Sequence, residues 1–323
     1  MSKPRIGLAL GSGSARGWSH IGVLRGLAAL GIKPDVIAGT SIGALVGAAH
    51  SVDQLEELED WVSHLDRMDI LRLLDARLSG GGFMRGDKLM KAIGNRVEDT
   101  RIEEMAQPFA AVATDLNSGR EIWLREGSLL EAVRASIALP GLFAPIRQGD
   151  RWLIDGGLVN PVPVSLCRAM GADVVIAVNL NGDIIGRNFD RRGKAPAVSS
   201  SRDEGESPAD DLPSSHHGGA LMGRVVGRLK TGLRVRLDHL ISSVASREET
   251  DEPGLFDVMA GSINVVQDRI TRSRMAGDPP DIMITPRLAH IRLMEFDRAP
   301  EAIQGGLKAV ERVRDELTML NSG

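Results

Sequence analysis

Short unbroken apolar runs alternate along the chain with longer stretches in which apolar residues recur every three or four positions. An unbroken run bounded by glycine or polar residues suits a strand buried on both faces, and a 3.6-residue period suits a helix with one buried face. On this pattern residues 5–10 form a strand and 19–30 a helix, followed by a second strand at 35–39 and a helix from 42 to 50. Residues 108–116 and 173–180 read as two further buried strands, and 152–154 as a short one ending in Asp155, with helical segments between them. Strands alternating with helices predict an α/β fold with a mostly parallel central sheet.

The pattern breaks after Asn181. The run "RRGKAPAVSSSRDEGESPADDLPSSHHGG" is charged, rich in Ser, Gly and Pro, and nearly free of large apolar residues, so it reads as a mobile surface insertion or linker. Helical periodicity returns at residue 221, continues to 244 with arginines and a lysine interspersed, and is followed by a helix at 256–275, a short strand near 281–286 and a closing helix at 300–320. The expected organisation is a core over 1–182, an insertion over 183–220 and a helical C-terminal part over 221–323 that packs on the core.

Composition narrows the function classes. The 39 basic and 43 acidic residues leave a net charge of −4, which gives no electrostatic case for a nucleic-acid partner. The single cysteine, Cys167, excludes an internal disulfide framework and fits a reducing compartment, and its apolar helical surroundings make it a core residue. The N-terminal apolar run is too short for a signal peptide, and no window reaches membrane-spanning length. A soluble, cytoplasmic protein is expected, with any membrane contact peripheral.

Three segments carry candidate chemistry. The first, "GTSIG", lies between the second strand and its helix and has the form of a nucleophile elbow around Ser41, where Gly39 and Gly43 leave room for the tight turn. The plain alternative is a strand–helix turn with Ser41 as an N-cap. In an α/β-hydrolase the elbow follows several strands and a histidine completes the triad, yet only one strand precedes this one. His216, His217, His239 and His290 have no supporting motif, so that fold is disfavoured.

The second segment, "GLALGSGSARGW", places a loop of small residues directly after the first strand. Gly11, Gly13 and Gly17 are spaced one residue too far for the dinucleotide fingerprint, and no Gly-Lys-Ser/Thr follows as a P-loop requires. What remains is a loop whose backbone N–H groups can converge on an anion, as acyl transfer requires, with Arg16 alongside. The third segment is "DGGLVNP", in which Asp155 ends a strand and is followed by Gly156 and Gly157; alone it could be an ordinary turn.

Together these blocks resemble the patatin-like phospholipase family, and most specifically its bacterial RssA-type branch related to neuropathy target esterase. The resemblance rests on "LGSGSARGWSHIGVL", "GTSIGALVGAA", "FAAVATDLNSGRE", "SIALPGLFAP" and "DGGLVNPVPVSL", which lie within residues 6–166, and less specifically on "RMAGDPPDI". It implies a three-layer patatin-like fold and a serine acyl-ester hydrolase of phospholipase, lysophospholipase or carboxylesterase type. Carried over by position, Ser41 is the nucleophile, Asp155 its general base and no histidine takes part. Backbone amides around Ser12, Gly13 and Ser14 form the oxyanion hole, and Arg16 braces the loop or meets a substrate phosphate. Ser12 and Ser14 stand where patatins have glycine, which narrows the hole without removing its donors. Asp115 is read as structural, while Pro140 and Phe143 form a wall of the site. No cofactor and no metal are implied.

The partner expected is a lipid or other acyl-ester substrate, with oligomerisation left open. The cationic amphipathic stretch at 221–244 could lie on an anionic membrane or form a lid, although a helix packed on the sheet or on a second subunit is the plainer reading. A patatin-fold regulatory or scaffolding protein with little turnover is the alternative from another class.

Overall fold

The structure, a computed structural model, describes residues 3–73, 78–79, 83–183 and 255–320. The chain divides into two units, Met1–Asn188 with Glu252–Gly323, and Phe189–Asp251. Every described residue belongs to the first unit; the insertion and the amphipathic stretch at 221–244 lie outside the described residues.

One sheet organises this unit. Strands β1 (Ile6–Leu10), β2 (Val36–Thr40), β5 (Phe109–Asp115), β9 (Val174–Val178) and β10 (Ile282–Ile284) are parallel, in the order β10-β9-β1-β2-β5. Three strands complete it through antiparallel pairings: β6 (Glu121–Leu124) and β8 (Arg151–Asp155) pair with β5, and β7 (Ile146–Gln148) pairs with β8. A separate two-stranded ribbon joins β3 (Leu78–Ser79) to β4 (Phe83–Met84). The predicted strands lie within one or two residues of these limits because continuous burial leaves no alternation to blur their ends. Both β1 and β2 are buried at every position.

Helices cover both faces. On one side α1 (Ser19–Ala29), α2 (Ile42–Ser51), α6 (Leu129–Ser136) and α9 (Ala299–Arg312) pack on Leu8, Leu10, Ile37, Ala111 and Ile176. The opposite face carries small residues, Ala9, Ala38, Ala110 and Ala177, which let α7 (Val164–Ala169) seat Cys167 directly on the sheet. Met275 of α8 (Leu255–Gly277) packs on that same face. The expected helix at 300–320 is two helices: the chain breaks at Val313 (φ −115°, ψ 20°) and restarts as α10 (Arg314–Met319). Among the described residues no helix is long and apolar enough to cross a membrane.

One detail of the strand order places the site. β2 runs parallel to β5 and ends with Thr40 opposite Val112. β8 runs antiparallel to β5 and ends with Asp155 opposite Ala113. β6 occupies the other edge of β5 over Ala111 to Thr114, so β2 and β8 share one edge and meet end to end. Their C-termini abut at adjacent β5 positions, and the chain leaving Thr40 must turn out of the sheet at Ser41.

Candidate active site

Ser41 makes that turn with φ 57° and ψ −124°, a left-handed conformation rarely adopted by residues other than glycine. A Cβ on Gly43 would stand 2.2 Å from the Leu10 carbonyl oxygen, and one on Gly39 would stand 2.4 Å from Ala44 Cα, so both flanking positions exclude a side chain. The Ser41 backbone N–H donates to Ser136 Oγ at 2.8 Å, and the Ser136 hydroxyl donates to the Val112 carbonyl at 2.7 Å. Ser136 is fully buried at the end of α6 and ties the strained turn to β5. Replacing Ser136 with alanine leaves the part-buried Ser41 N–H without its partner. Urea unfolding should register a loss of about 1–3 kcal/mol.

The side chain of Ser41 bears on the two readings of the elbow. It makes no capping bond to α2; its hydroxyl donates to Asp155 Oδ2 at 2.6 Å. The other carboxylate oxygen of Asp155 accepts from the Gly157 N–H at 2.7 Å, closing the turn that the Asp-Gly-Gly suggested. The backbone of Asp155 is fixed as well: its N–H donates to the Ala138 carbonyl, and its carbonyl accepts from the Thr114 hydroxyl. Asp155 is 1% exposed. Burial raises its pKa from the usual 3.8 to about 6, against the smaller opposing pull of the bonds from Ser41 and Gly157.

The small-residue loop lies beside them. Gly11 donates its N–H to the Val178 carbonyl, and Ser12 donates its own to the Pro161 carbonyl at 2.8 Å. That bond takes the Ser12 N–H out of the expected anion-holding set. Among the described residues the N–H groups of Gly13 and Ser14 have no hydrogen-bond partner. Gly17 lies against Ile42, Gly156 against the Val112 carbonyl and Gly157 against Gln267, each too close for a side chain of its own.

Arg16 braces the loop from inside. It is 2% exposed, with Nε donating to the Gly13 carbonyl and Nη2 to Asn181 and Asn264. Burial lowers its pKa to about 10. Its three acceptors are neutral carbonyl oxygens, and the guanidinium is committed to the loop rather than presented to a substrate phosphate. Ser12 Oγ and Asn181 Nδ2 both donate to Gln267 Oε1, so α8 closes the back of this network. His20 is buried beneath the loop with Nε2 against the Gly11 carbonyl, and burial holds its pKa near 4. Among the described residues no histidine bonds to Ser41 or Asp155; His290 is paired with Glu301.

A cavity opens over Ser41. Its walls come from Leu45 of α2, Trp61 of α3 (Leu55–Ser63), Ile70 of α4 (Arg67–Leu73), Leu89 of α5 (Asp87–Gly94), and Ile137, Leu142 and Phe143 after α6. Of the sixteen described residues that line it, only Ser14 and Ser41 are other than aliphatic or aromatic. Phe143 is a wall residue as expected, whereas Pro140 does not line the cavity; Leu139 and Leu142 do. Asp115 sits apart, its Oδ1 accepting from the N–H groups of Asn117 and Ser118 in the turn after β5. The Ser118 bond holds its pKa below the usual range. Cys167 is buried in the core, and burial pushes its thiol up to about 12.

Sequence reasoning missed Ser136, Asn181, Asn264 and Gln267. A serine near the end of a helix and amides on distant segments carry no spacing signal. Of these only Asn181, three residues past the end of β9, stands where a signal could have been sought, because ligand-facing residues in open α/β sheets gather at the carboxyl ends of strands.

Comparison with known proteins finds relatives of this chain. The model of the family described as "Patatin-like phospholipase" matches residues 8–168. An uncharacterized NTE family protein of Mycobacterium tuberculosis is 36% identical over 326 residues, covering 94% of this chain and 90% of that protein. Patatin-like phospholipase domain-containing protein 7 of Rattus norvegicus is 35% identical, and protein 6 of Homo sapiens 32%; each alignment covers 54% of this chain and 13% of the relative.

Proposed function

The chain belongs to the patatin-like phospholipase family, and from that premise we propose that it is a serine acyl-ester hydrolase, acting on phospholipid or lysophospholipid through a Ser41–Asp155 dyad. The observation that carries the reading is the 2.6 Å bond from Ser41 Oγ to a buried carboxylate, at the floor of a cavity walled by aliphatic and aromatic side chains. A polar substrate would gain little in such a cavity, whereas each methylene of an acyl chain contributes about 0.8 kcal/mol on burial.

The chemistry follows from the contacts. Ser41 Oγ attacks the ester carbonyl carbon while its proton passes to Asp155 Oδ2. The carbonyl electron pair moves onto oxygen, where the N–H groups of Gly13 and Ser14 and the N-terminus of α2 favour negative charge. The tetrahedral species collapses, the bond to the alcohol oxygen breaks, and that oxygen takes the proton from Asp155. Water then repeats the sequence on the acyl-enzyme: its proton goes to Asp155, its oxygen bonds to the carbonyl carbon, and Ser41 leaves with the proton returned. A base with a pKa near 6 suits this exchange, being ionised at neutral pH yet basic enough to accept a proton.

A fluorophosphonate probe should label the wild-type chain at Ser41. The kcat/KM for a short soluble ester should fall about tenfold per pH unit below pH 6 and level off above pH 7, since the free enzyme's Asp155 must be ionised. A flat profile from pH 5 to 8, or a chain inert to both probe and ester, would overturn the proposal.

A further inference from the structure

The two serines in the loop after β1 have different surroundings. Ser12 is buried, and its hydroxyl is spent on Gln267 behind the loop. Ser14 is half-buried, lines the cavity together with Ser41, and has no hydrogen-bond partner for its hydroxyl among the described residues. Its backbone is in the left-handed region at φ 50°. Only three non-glycine described residues share that region: Ser14, Ser41 and Asp53. Glycine would hold this conformation at lower cost, so a side chain at position 14 is retained against local backbone preference.

We propose that the Ser14 hydroxyl is a third donor to the carbonyl oxygen of the ester, acting beside the N–H groups of Gly13 and Ser14; the inference rests on the hydrolase reading above. Three bonds separate the nitrogen and Oγ of one serine, so in a gauche rotamer both can donate to a single acceptor. Ser14, a residue of the cavity wall, carries both groups. In surroundings otherwise aliphatic and aromatic, a hydroxyl without a partner gains most when an oxygen in front of it becomes charged, and that happens only as Ser41 attacks. Ser14 is thereby assigned to the transition state rather than to binding of the acyl chain.

The test uses the full chain with Ser14→Gly and Ser14→Ala. Glycine tolerates the left-handed backbone and alanine keeps its strain; both retain the N–H and lose the hydroxyl, and glycine loses the β-carbon as well. The expected result is a fall of about tenfold in kcat for a short ester in both variants, less than the about 10²–10³-fold cost of removing a principal donor, with KM little changed. The rate of fluorophosphonate labelling should fall in parallel, because the phosphonyl oxygen occupies the same position. Melting of the glycine variant should match or exceed that of the wild type. Wild-type kcat in either variant, or loss in alanine alone, would overturn the assignment while leaving the dyad standing. A wild type inert to both probe and ester would overturn the two together.

Discussion

Ser41→Ala should reduce hydrolysis of a short acyl ester by about 10⁴-fold or more, with a folded protein and a lost fluorophosphonate label. The substitution removes one oxygen and leaves the rest of the site in place. Alanine carries the same strain at φ 57° as serine, and the backbone bond to Ser136 is untouched. Asp155 loses the Ser41 hydroxyl that stabilises its charged form, so its pKa, already about 6, should rise further. Circular dichroism and thermal melting at pH 7 would verify the fold, and ester turnover with the probe would verify the chemistry. Retention of a tenth of the activity would mean that another group attacks the ester, or that Ser41 only shapes the turn.

Asp155→Asn should cost about 10³-fold or more in turnover and stabilise the protein at neutral and alkaline pH. An asparagine can satisfy both existing contacts: its carbonyl accepts from Gly157 and its amide donates to Ser41. It cannot accept the serine proton. The stability effect follows from linkage. Asp155 has a folded pKa of about 6, above the ordinary 3.8 expected when the chain is unfolded, so the folded state holds its proton more tightly. Below pH 3.8 the carboxyl is protonated in both states and carries no penalty. As pH rises to 6 and beyond, the buried carboxylate costs the wild type about 3 kcal/mol, which the neutral amide avoids. The melting temperature of the variant should therefore exceed that of the wild type at pH 8, and the gap should close between pH 6 and pH 4. A gap that widens on acidification would mean that Asp155 is stabilised as an anion in the fold.

The strands of the parallel half were legible because "IGLAL", "VIAG" and "VVIAV" leave no polar position within a buried run. The glycines on either side of Ser41 were legible for a similar reason: the turn is so tight that sequence and geometry constrain each other. The antiparallel extension was harder to read. β7 has no buried residue and β6 only Leu124, so neither is marked by a continuous apolar run. The cavity was illegible, since its walls gather one or two residues from each of α2, α3, α4 and α5 and others from the segments that connect such elements.

From the sequence alone came the elbow at Ser41, the small-residue loop and an aspartate closing a strand, each a local feature written in a few adjacent residues. Their meeting was decided by tertiary structure. Ser41 and Asp155 are 114 positions apart, and they touch because β2 and β8 approach the same edge of β5 from opposite directions and end at neighbouring residues. Backbone pairing sets that register, and no local pattern encodes it. The same long-range packing buries Asp155 without a counter-charge and so raises its pKa, and it spends the Ser12 hydroxyl on Gln267 while leaving Ser14 at the cavity wall.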